Sequence, residues 1–276
     1  MDRVWRPLST LDWPDLTEAF NLVYQGYVVP LALTVALMRQ HVEAYDIDLA
    51  HSPLWLDGDG AVAALALLAV RGDRGWVGGF GVAPRHRGSG LGHRVASAVQ
   101  EIASGLRLRA VQLEVLAPNA AAIRTYERAG FRRRRDLQIA RRTPAPAAAP
   151  STGIAAADPR ALLAHGPRLQ RAVPCWQREP SSLRALKGLH GRALGQPDLP
   201  DGYLLYRVRD RDLRVVDIAA PDPSAARALA ADLAAEQPRC TLMLVNEPED
   251  SMVVPALRAA GWDEVPGQHE MVWDVP

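Results

Sequence analysis

The sequence predicts an α/β protein on a mixed sheet, arranged as two successive halves of similar order. Three observations carry this. Apolar residues switch between period-two and helical spacing throughout the 276 residues. The turn Gly88-Ser-Gly-Leu-Gly92 joins a strand pattern directly to a helical one. The succession hairpin, helix, strand, helix, glycine-aromatic pair, strand occurs twice, on either side of a Pro- and Ala-rich stretch.

In the first half, residues 3–8 read as a strand. Pro14 opens a helix running through Tyr24, with Asp12 or Trp13 as its cap. Residues 25–30 form a loop before a second helix near 33–44. Residues 54–56 and 61–70 make a hairpin around Asp57-Gly-Asp-Gly60. The next strand is 76–82, where Gly78, Gly79 and Gly81 mark a bulge or a close backbone approach. Leu91, Val95, Ala98, Val99 and Ile102 then recur at helical spacing. Residues 110–116 alternate as a strand, and a short helix over 120–129 closes on Gly130-Phe131.

Residues 143–159 are rich in Pro, Ala, Ser, Thr and Gly, so domains are expected at 1–143 and 160–276 with a linker over 144–159. Beyond it, 162–194 reads as mostly helical, and 203–208 and 213–219 as a strand pair. A helix over 223–236, a strand over 241–245, a helix over 251–260 and a closing strand over 268–275 complete the order. Asn246 would match Asn119, and Gly261-Trp262 would match Gly130-Phe131. The second copy's loop, 219–225, has no glycine or arginine, and its two prolines have no N–H to donate, so it is expected to hold no anion. The first half ends at Arg142 with a sheet edge that needs a cover, which the closing strand is expected to help provide.

The composition, 48% apolar and 23% charged, is that of a soluble globular protein, and a net charge of +1 argues against general nucleic-acid binding. Cys175 and Cys240 match no metal spacing, nor do His41, His51, His86 and His93, so no metal is expected. The N-terminus lacks a signal-peptide core, and the longest apolar run, 61–70, is too short to span a bilayer. A cytoplasmic monomer or homodimer is expected. Lys187 is the single lysine among 32 basic residues, and with the abundance of alanine this suggests a GC-rich bacterial source.

Glycines at 88, 90 and 92 let several backbone N–H groups converge where the helix also presents its unpaired N–H groups and positive end. Such a nest binds phosphate, and Arg85 and Arg87 add charge. No Lys-Ser/Thr pair ends the turn, as a nucleotide P-loop would need, and no acidic residue follows a second strand at dinucleotide-fold spacing. Arg87-x-x-Gly90-x-Gly92, then Leu113-Glu-Val115, then Asn119-x-x-Ala122-x-x-x-Tyr126-Glu-x-x-Gly130-Phe131, resembles the GCN5-related N-acetyltransferases, the GNAT superfamily. The resemblance covers roughly 1–142 and implies an acyl-CoA acyltransferase fold. The repeated order then makes the chain a tandem of two GNAT-like domains, the second degenerate.

The resemblance implies acetyl-CoA as co-substrate. The amides of Arg87, Gly88, Ser89, Gly90, Leu91 and Gly92 would hold its pyrophosphate. The backbone of Phe80 and Val82 would pair with the pantetheine arm, with the Val82 N–H on the acetyl oxygen. Asn119 would contact the cofactor or cap its helix. Phe20, Tyr24, Tyr27 and Trp13 lie where family members build the acceptor pocket, and they could equally be core.

A lysine-like amine of pKa about 10.4 must be presented neutral, at a cost of about 4–5 kcal/mol at pH 7. A base or a desolvating pocket must supply this. Glu114 interrupts an apolar strand and precedes Tyr126 by twelve residues. That spacing resembles the ribosomal-protein N-terminal acetyltransferases, where the corresponding Glu is the base. Alternatively Glu114 pairs with an arginine or faces solvent beside Gln112. Tyr126 is the general-acid candidate, hydrogen-bonding the thiolate as charge develops. The run Arg132 to Arg135 reads as a solvated edge strand, or as a contact to acidic substrate or cofactor phosphates.

The expected activity is acetyl transfer to a primary amine of a small molecule or peptide, by direct attack in a ternary complex. No nucleic-acid or membrane partner is expected. The alternatives are an acyl-CoA sensor without turnover, another acyl group, or a hydroxyl acceptor. Retention of Tyr126 and Glu114 beside the turn counts against the sensor.

Overall fold

A computed structural model of the chain describes residues 5–28, 31–146, 152–209 and 212–276. Arg3 and Val4 of the expected first strand, Val29 and Pro30 of the first loop, and 147–151 of the Pro/Ala-rich stretch lie outside these. The described residues fall into two compact units, one of 1–134 with 269–276 and one of 135–268.

The first unit opens with β1 (Arg6–Pro7), α1 (Trp13–Val23) and α2 (Val35–Ala44). β1 stops earlier than expected because Leu8 enters a 3-10 turn with its side chain buried. The Asp12 carboxylate caps α1 by accepting the Asp15 N–H at 2.8 Å, and Thr34 caps α2. Next come β2 (Pro53–Leu56), β3 (Val62–Arg71), β4 (Arg74–Val82), α3 (Leu91–Gly105), β5 (Ala110–Leu116) and α4 (Ala120–Arg128). β1 to β4 pair antiparallel in sequence order, and β5 lies parallel to β4. The apolar run of β3 is buried almost throughout, and Val95, Val99 and Ile102 of α3 join the same core as Ala64, Ala66 and Leu68.

Two register features shape the site. Between β3 and β4 the pairing passes from Leu67↔Gly79 to Leu68↔Val77, leaving Gly78 as the extra, bulged residue. A β-carbon at 78 would overlap the Trp76 ring, so glycine is required there. The parallel pairing of β4 with β5 covers Arg74↔Ala110 to Val77↔Leu113 and stops at the bulge. Past that point the two strands split.

The second unit takes β6 (Arg132–Arg142) from residue 135, then β7 (Ile154–Ala157), α5 (Pro159–Leu162), α6 (Gly166–Leu169), α7 (Pro180–Ala185) and β8 (His190–Gln196). It continues with β9 (Leu199–Arg209), β10 (Asp212–Ala219), α8 (Pro223–Glu236), β11 (Thr241–Pro248) and α9 (Val253–Ala259). The strand order is β6-β11-β10-β9-β8-β7. Residues 162–194 are thus short helices and turns ending in a strand, where the sequence suggested mostly helix. Pro167, Pro174 and Pro180 interrupt any long helix, while Leu162, Leu169, Trp176 and Leu183 still reach the interior. Within the Pro/Ala-rich stretch, β7 pairs with β8. Asn246 does not open a helix; it lies inside β11 with φ +60°, and the Ser251 Oγ accepts the Val253 N–H at the start of α9.

The same split recurs. β10 and β11 pair in parallel from Asp212↔Thr241 to Val215↔Leu244, and the β9–β10 register skips Val216 there. The last strand, β12 (Asp263–Asp274), gives its residues from His269 onward to the first unit, beside β5. Met271 enters that core, the Trp273 ring lies 6.5 Å from Phe131, and Arg132 reaches Asp274 at 2.7 Å. The Val275 N–H bonds the Arg109 carbonyl at 2.9 Å. Among the described residues no helix is long and apolar enough to cross a membrane.

Candidate active site

Gly88 and Gly90 have φ of +77° and +82°, values that L side chains rarely adopt. Gly90 is the N-cap of α3, and no side chain caps that helix. Among the described residues the N–H groups of 88–92 have no hydrogen-bond partner. These amides and the positive end of α3 fit a diphosphate. Ser89 Oγ donates to the His86 carbonyl at 2.7 Å, and Arg85 and His86 both meet the Asp57 carboxylate, which fastens the turn to the β2–β3 hairpin. Arg87 is used differently. Its Nε donates to the Val82 carbonyl at 3.1 Å, and its Nη2 to those of Val23 and Gln25 at 3.2 and 2.5 Å. Its guanidinium therefore ties the end of β4 to the end of α1.

Strand alternation turns the Phe80 and Val82 backbone groups away from β3, whose Ala63 carbonyl takes the Ala83 N–H. The Phe80 N–H donates to the Tyr24 hydroxyl at 3.2 Å. Tyr24 stacks on Phe20 with centroids 4.4 Å apart and meets the edge of Tyr27 at 5.1 Å. Tyr126 packs its ring against Phe80 at 5.2 Å, and its hydroxyl has no partner among the described residues. Burial first, and then the neighbouring Tyr24 and Tyr27, raise the Tyr126 phenol well above its usual range; burial likewise raises Tyr24. Burial raises Tyr27 too, with the Asn119 side chain pulling the other way. All three stay neutral hydrogen-bond donors at pH 7. Asn119 caps α4 by accepting the Ala122 N–H at 3.2 Å. Phe20 is core: a β-carbon at Gly79 would meet its ring at 3.0 Å. Leu91 packs at the rim of the α3 core, and Gly92 faces Thr125, Val82 and Phe80.

Glu114 lies on β5 at the first position past the split, and its Oε2 accepts the Trp76 indole N–H at 2.6 Å. The Trp76 ring is flanked by Tyr45 at 5.4 Å and His41 at 6.4 Å. His41 Nε2 lies 3.1 Å from the Gly78 carbonyl, so this nitrogen carries the proton and donates to the bulge. Burial lowers His41 to about 4, keeping the imidazole neutral at pH 7. Sequence reading missed His41, Tyr45 and Trp76. The i, i+4 spacing of His41 and Tyr45 was legible, but nothing local placed either on Gly78 or Trp76.

The second unit uses its split otherwise. Arg178 bridges the strands past the last pair, with Nη2 on Asp217 at 2.9 Å and Nη1 on Glu247, all three buried. Tyr203 and Gln170 also donate to Asp217, at 2.9 and 3.0 Å. At the start of α8, Asp222 Oδ1 takes the N–H groups of Ser224 and Ala225 at 2.8 and 3.0 Å. Leu257 holds the place of Tyr126: its carbonyl takes the Trp262 N–H at 3.1 Å, as that of Tyr126 takes the Phe131 N–H at 3.0 Å. No group of three or more metal-ligating side chains occurs among the described residues.

The first unit thus joins a split parallel strand pair to an uncapped glycine turn at the following helix, and comparison specifies the family. Residues 13–131 match the model described as Acetyltransferase (GNAT) family, and 168–251 the one described as Acetyltransferase (GNAT) domain. The chain belongs to the GNAT superfamily and carries two GNAT domains in tandem. The family implies acyl-CoA binding. Among solved structures, a GCN5-related N-acetyltransferase from Sphaerobacter thermophilus is similar at TM-score 0.73 and 19% identity, over 99% of this chain and 95% of that one. A tandem GNAT protein from the clavulanic acid biosynthesis pathway gives 0.67 and 13%, over 99% and 98%. A GCN5-related N-acetyltransferase from Anabaena variabilis gives 0.67 and 15%, over 99% and 72%. At these identities the likeness is one of fold. No curated protein matches the chain significantly.

Proposed function

We propose that the first unit transfers the acetyl group of acetyl-CoA to a primary amine of a small molecule or peptide, by direct attack in a ternary complex. One observation carries the reading: the unpartnered amides of the turn at the start of α3 follow directly on the β4 edge released by the split, and Tyr126 of α4, its hydroxyl unpartnered among the described residues, packs on Phe80 of that edge. The amides of 88–92 hold the diphosphate, and the Phe80 carbonyl and Val82 N–H, the groups of that edge not taken by Tyr24 or Arg87, align the pantetheine arm. Acetyl-CoA supplies an activated thioester carbonyl.

Glu114, held by Trp76, takes the proton of the attacking nitrogen directly or through a water. Tyr126 donates to the sulfur as negative charge develops there, which favours expulsion of the thiolate. Its neutral phenol is a donor throughout the physiological range. Tyr27, at the edge of Tyr24, is on the acceptor side. The second unit is non-catalytic, since its strand gap is bridged by Arg178 and its helix amides are taken by Asp222. The test is release of free thiol from acetyl-CoA against a panel of amines. Thiol release that depends on an amine, with an acetylated product, supports the reading; acetyl-CoA binding without turnover on any amine would replace it by a sensor role.

A further inference from the structure

We infer that Tyr24 is a second catalytic hydroxyl of this site, donating to the acyl carbonyl oxygen. The inference rests on the acetyl-transfer reading above and adds a residue to it. Its ground is the way Phe80 is held: its backbone N–H donates to the Tyr24 oxygen at 3.2 Å, and its ring carries Tyr126 at 5.2 Å. Phe80 lies past the point where β4 and β5 stop pairing, so its amide would otherwise face the gap. A phenol oxygen fills that place instead.

This changes what the amide offers. With Tyr24 on the Phe80 N–H, the group presented to a ligand is the Tyr24 O–H, for which the described residues provide no acceptor. A hydroxyl that already accepts a hydrogen bond is a stronger donor, because the chain amide to oxygen to proton is polarised in one direction. Orientation is fixed as well. The ring is stacked on buried Phe20 at 4.4 Å and braced by Tyr27 at 5.1 Å, so the oxygen needs little reorganisation during reaction. The Arg87 bonds to Val23 and Gln25 hold the backbone on either side of Tyr24.

In the transfer step the acceptor nitrogen bonds to the thioester carbon, and the carbonyl π pair moves onto oxygen, where Tyr24 donates. Re-formation of C=O breaks the C–S bond. The sulfur takes its proton from Tyr126, and the nitrogen loses one proton to Glu114, which solvent carries back to the phenol. Tyr24 changes no protonation state. It acts only on the oxygen that gains charge.

Tyr24→Phe keeps the ring stack and deletes the hydroxyl. Two measurements test it, using acetyl-CoA labelled with carbon-13 at the carbonyl. Difference infrared spectroscopy of the bound thioester should show its C=O stretch at lower wavenumber in the wild type than in the variant. Turnover should fall about 10²-fold, with acetyl-CoA affinity by calorimetry within about twofold. An unchanged C=O stretch with bound acetyl-CoA, or a loss confined to KM, overturns the assignment and leaves the acetyl-transfer reading standing. Failure of the wild type to bind acetyl-CoA overturns both. A Tyr24-dependent stretch in a protein that acetylates no amine upholds the hydroxyl's contact and removes the amine acceptor.

Discussion

The Trp76 indole donates to the Glu114 carboxylate at 2.6 Å, joining β4 to β5 at the place where their pairing ends. The bulge at Gly78 makes this contact available, because it frees the space the indole ring occupies. Glu114→Gln should lower turnover at least about tenfold near pH 7. The deficit should narrow toward pH 10, where an amine of pKa about 10.4 loses its proton unaided. Rate profiles from pH 6 to 10 check this, and parallel wild-type and variant profiles would remove Glu114 as base.

Tyr126→Phe should reduce kcat at least about tenfold while leaving acetyl-CoA affinity unchanged, as befits a contact that gains strength in the transition state. Because burial raises this phenol, the alkaline side of the rate profile should show no loss attributable to Tyr126 in the ordinary phenol range. Calorimetry and steady-state rates on both proteins test the pair of statements.

Gly90→Val places a branched side chain at φ +82°, in the turn whose amides are offered to the diphosphate. Affinity for acetyl-CoA should fall at least about tenfold, or about 1.4 kcal/mol. The wild type should bind one acetyl-CoA per chain, since the matching helix start in the second unit is occupied by Asp222. Two equivalent sites by calorimetry would contradict this.

His41 links stability to pH. It is neutral and half-buried when folded, with a value of about 4 against about 6.5 unfolded, so the unfolded chain binds the extra proton. The stabilisation is present above about pH 6.5 and is lost as pH falls toward 4, by up to about 3 kcal/mol. Denaturant midpoints at pH 7 and 4.5 should differ less in His41→Gln than in the wild type.

Removal of 269–276 should leave the first unit poorly folded. It would lose Met271 from the core, Trp273 from Phe131 and Gly130, and the Asp274 partner of Arg132. Solubility and hydrogen exchange in α3 and β5 report the outcome; native-like protection in the truncated chain would count against it.

Much of the first half was readable locally. The glycine turn, the Asn119 cap and the Gly130 stop each depend on φ or on a hydrogen bond spanning a few residues. Residues 162–194 depart from the expected helix because Pro167, Pro174 and Pro180 break it into short pieces, and Asn246, which matches Asn119 in the order of elements, lies inside β11 and caps no helix. Arg87 was read for its charge, while its three carbonyl partners include two that lie 62 and 64 residues away.

By itself the sequence determined the family, the tandem order, the glycine turn at the start of α3 and the absence of that turn from the second copy. Those rest on short-range backbone chemistry, which neighbouring residues fix. Tertiary structure alone decided that His41 meets Gly78 37 residues on, that Trp76 holds Glu114, and that Tyr24 takes the Phe80 amide. It also decided that Arg178 bridges the second split and that the last strand belongs to the first unit. Each of these depends on where a bulge falls and which strands become neighbours. A one-residue shift in register would turn Trp76 and Glu114 to the other face and move the backbone groups that His41 and Tyr24 meet.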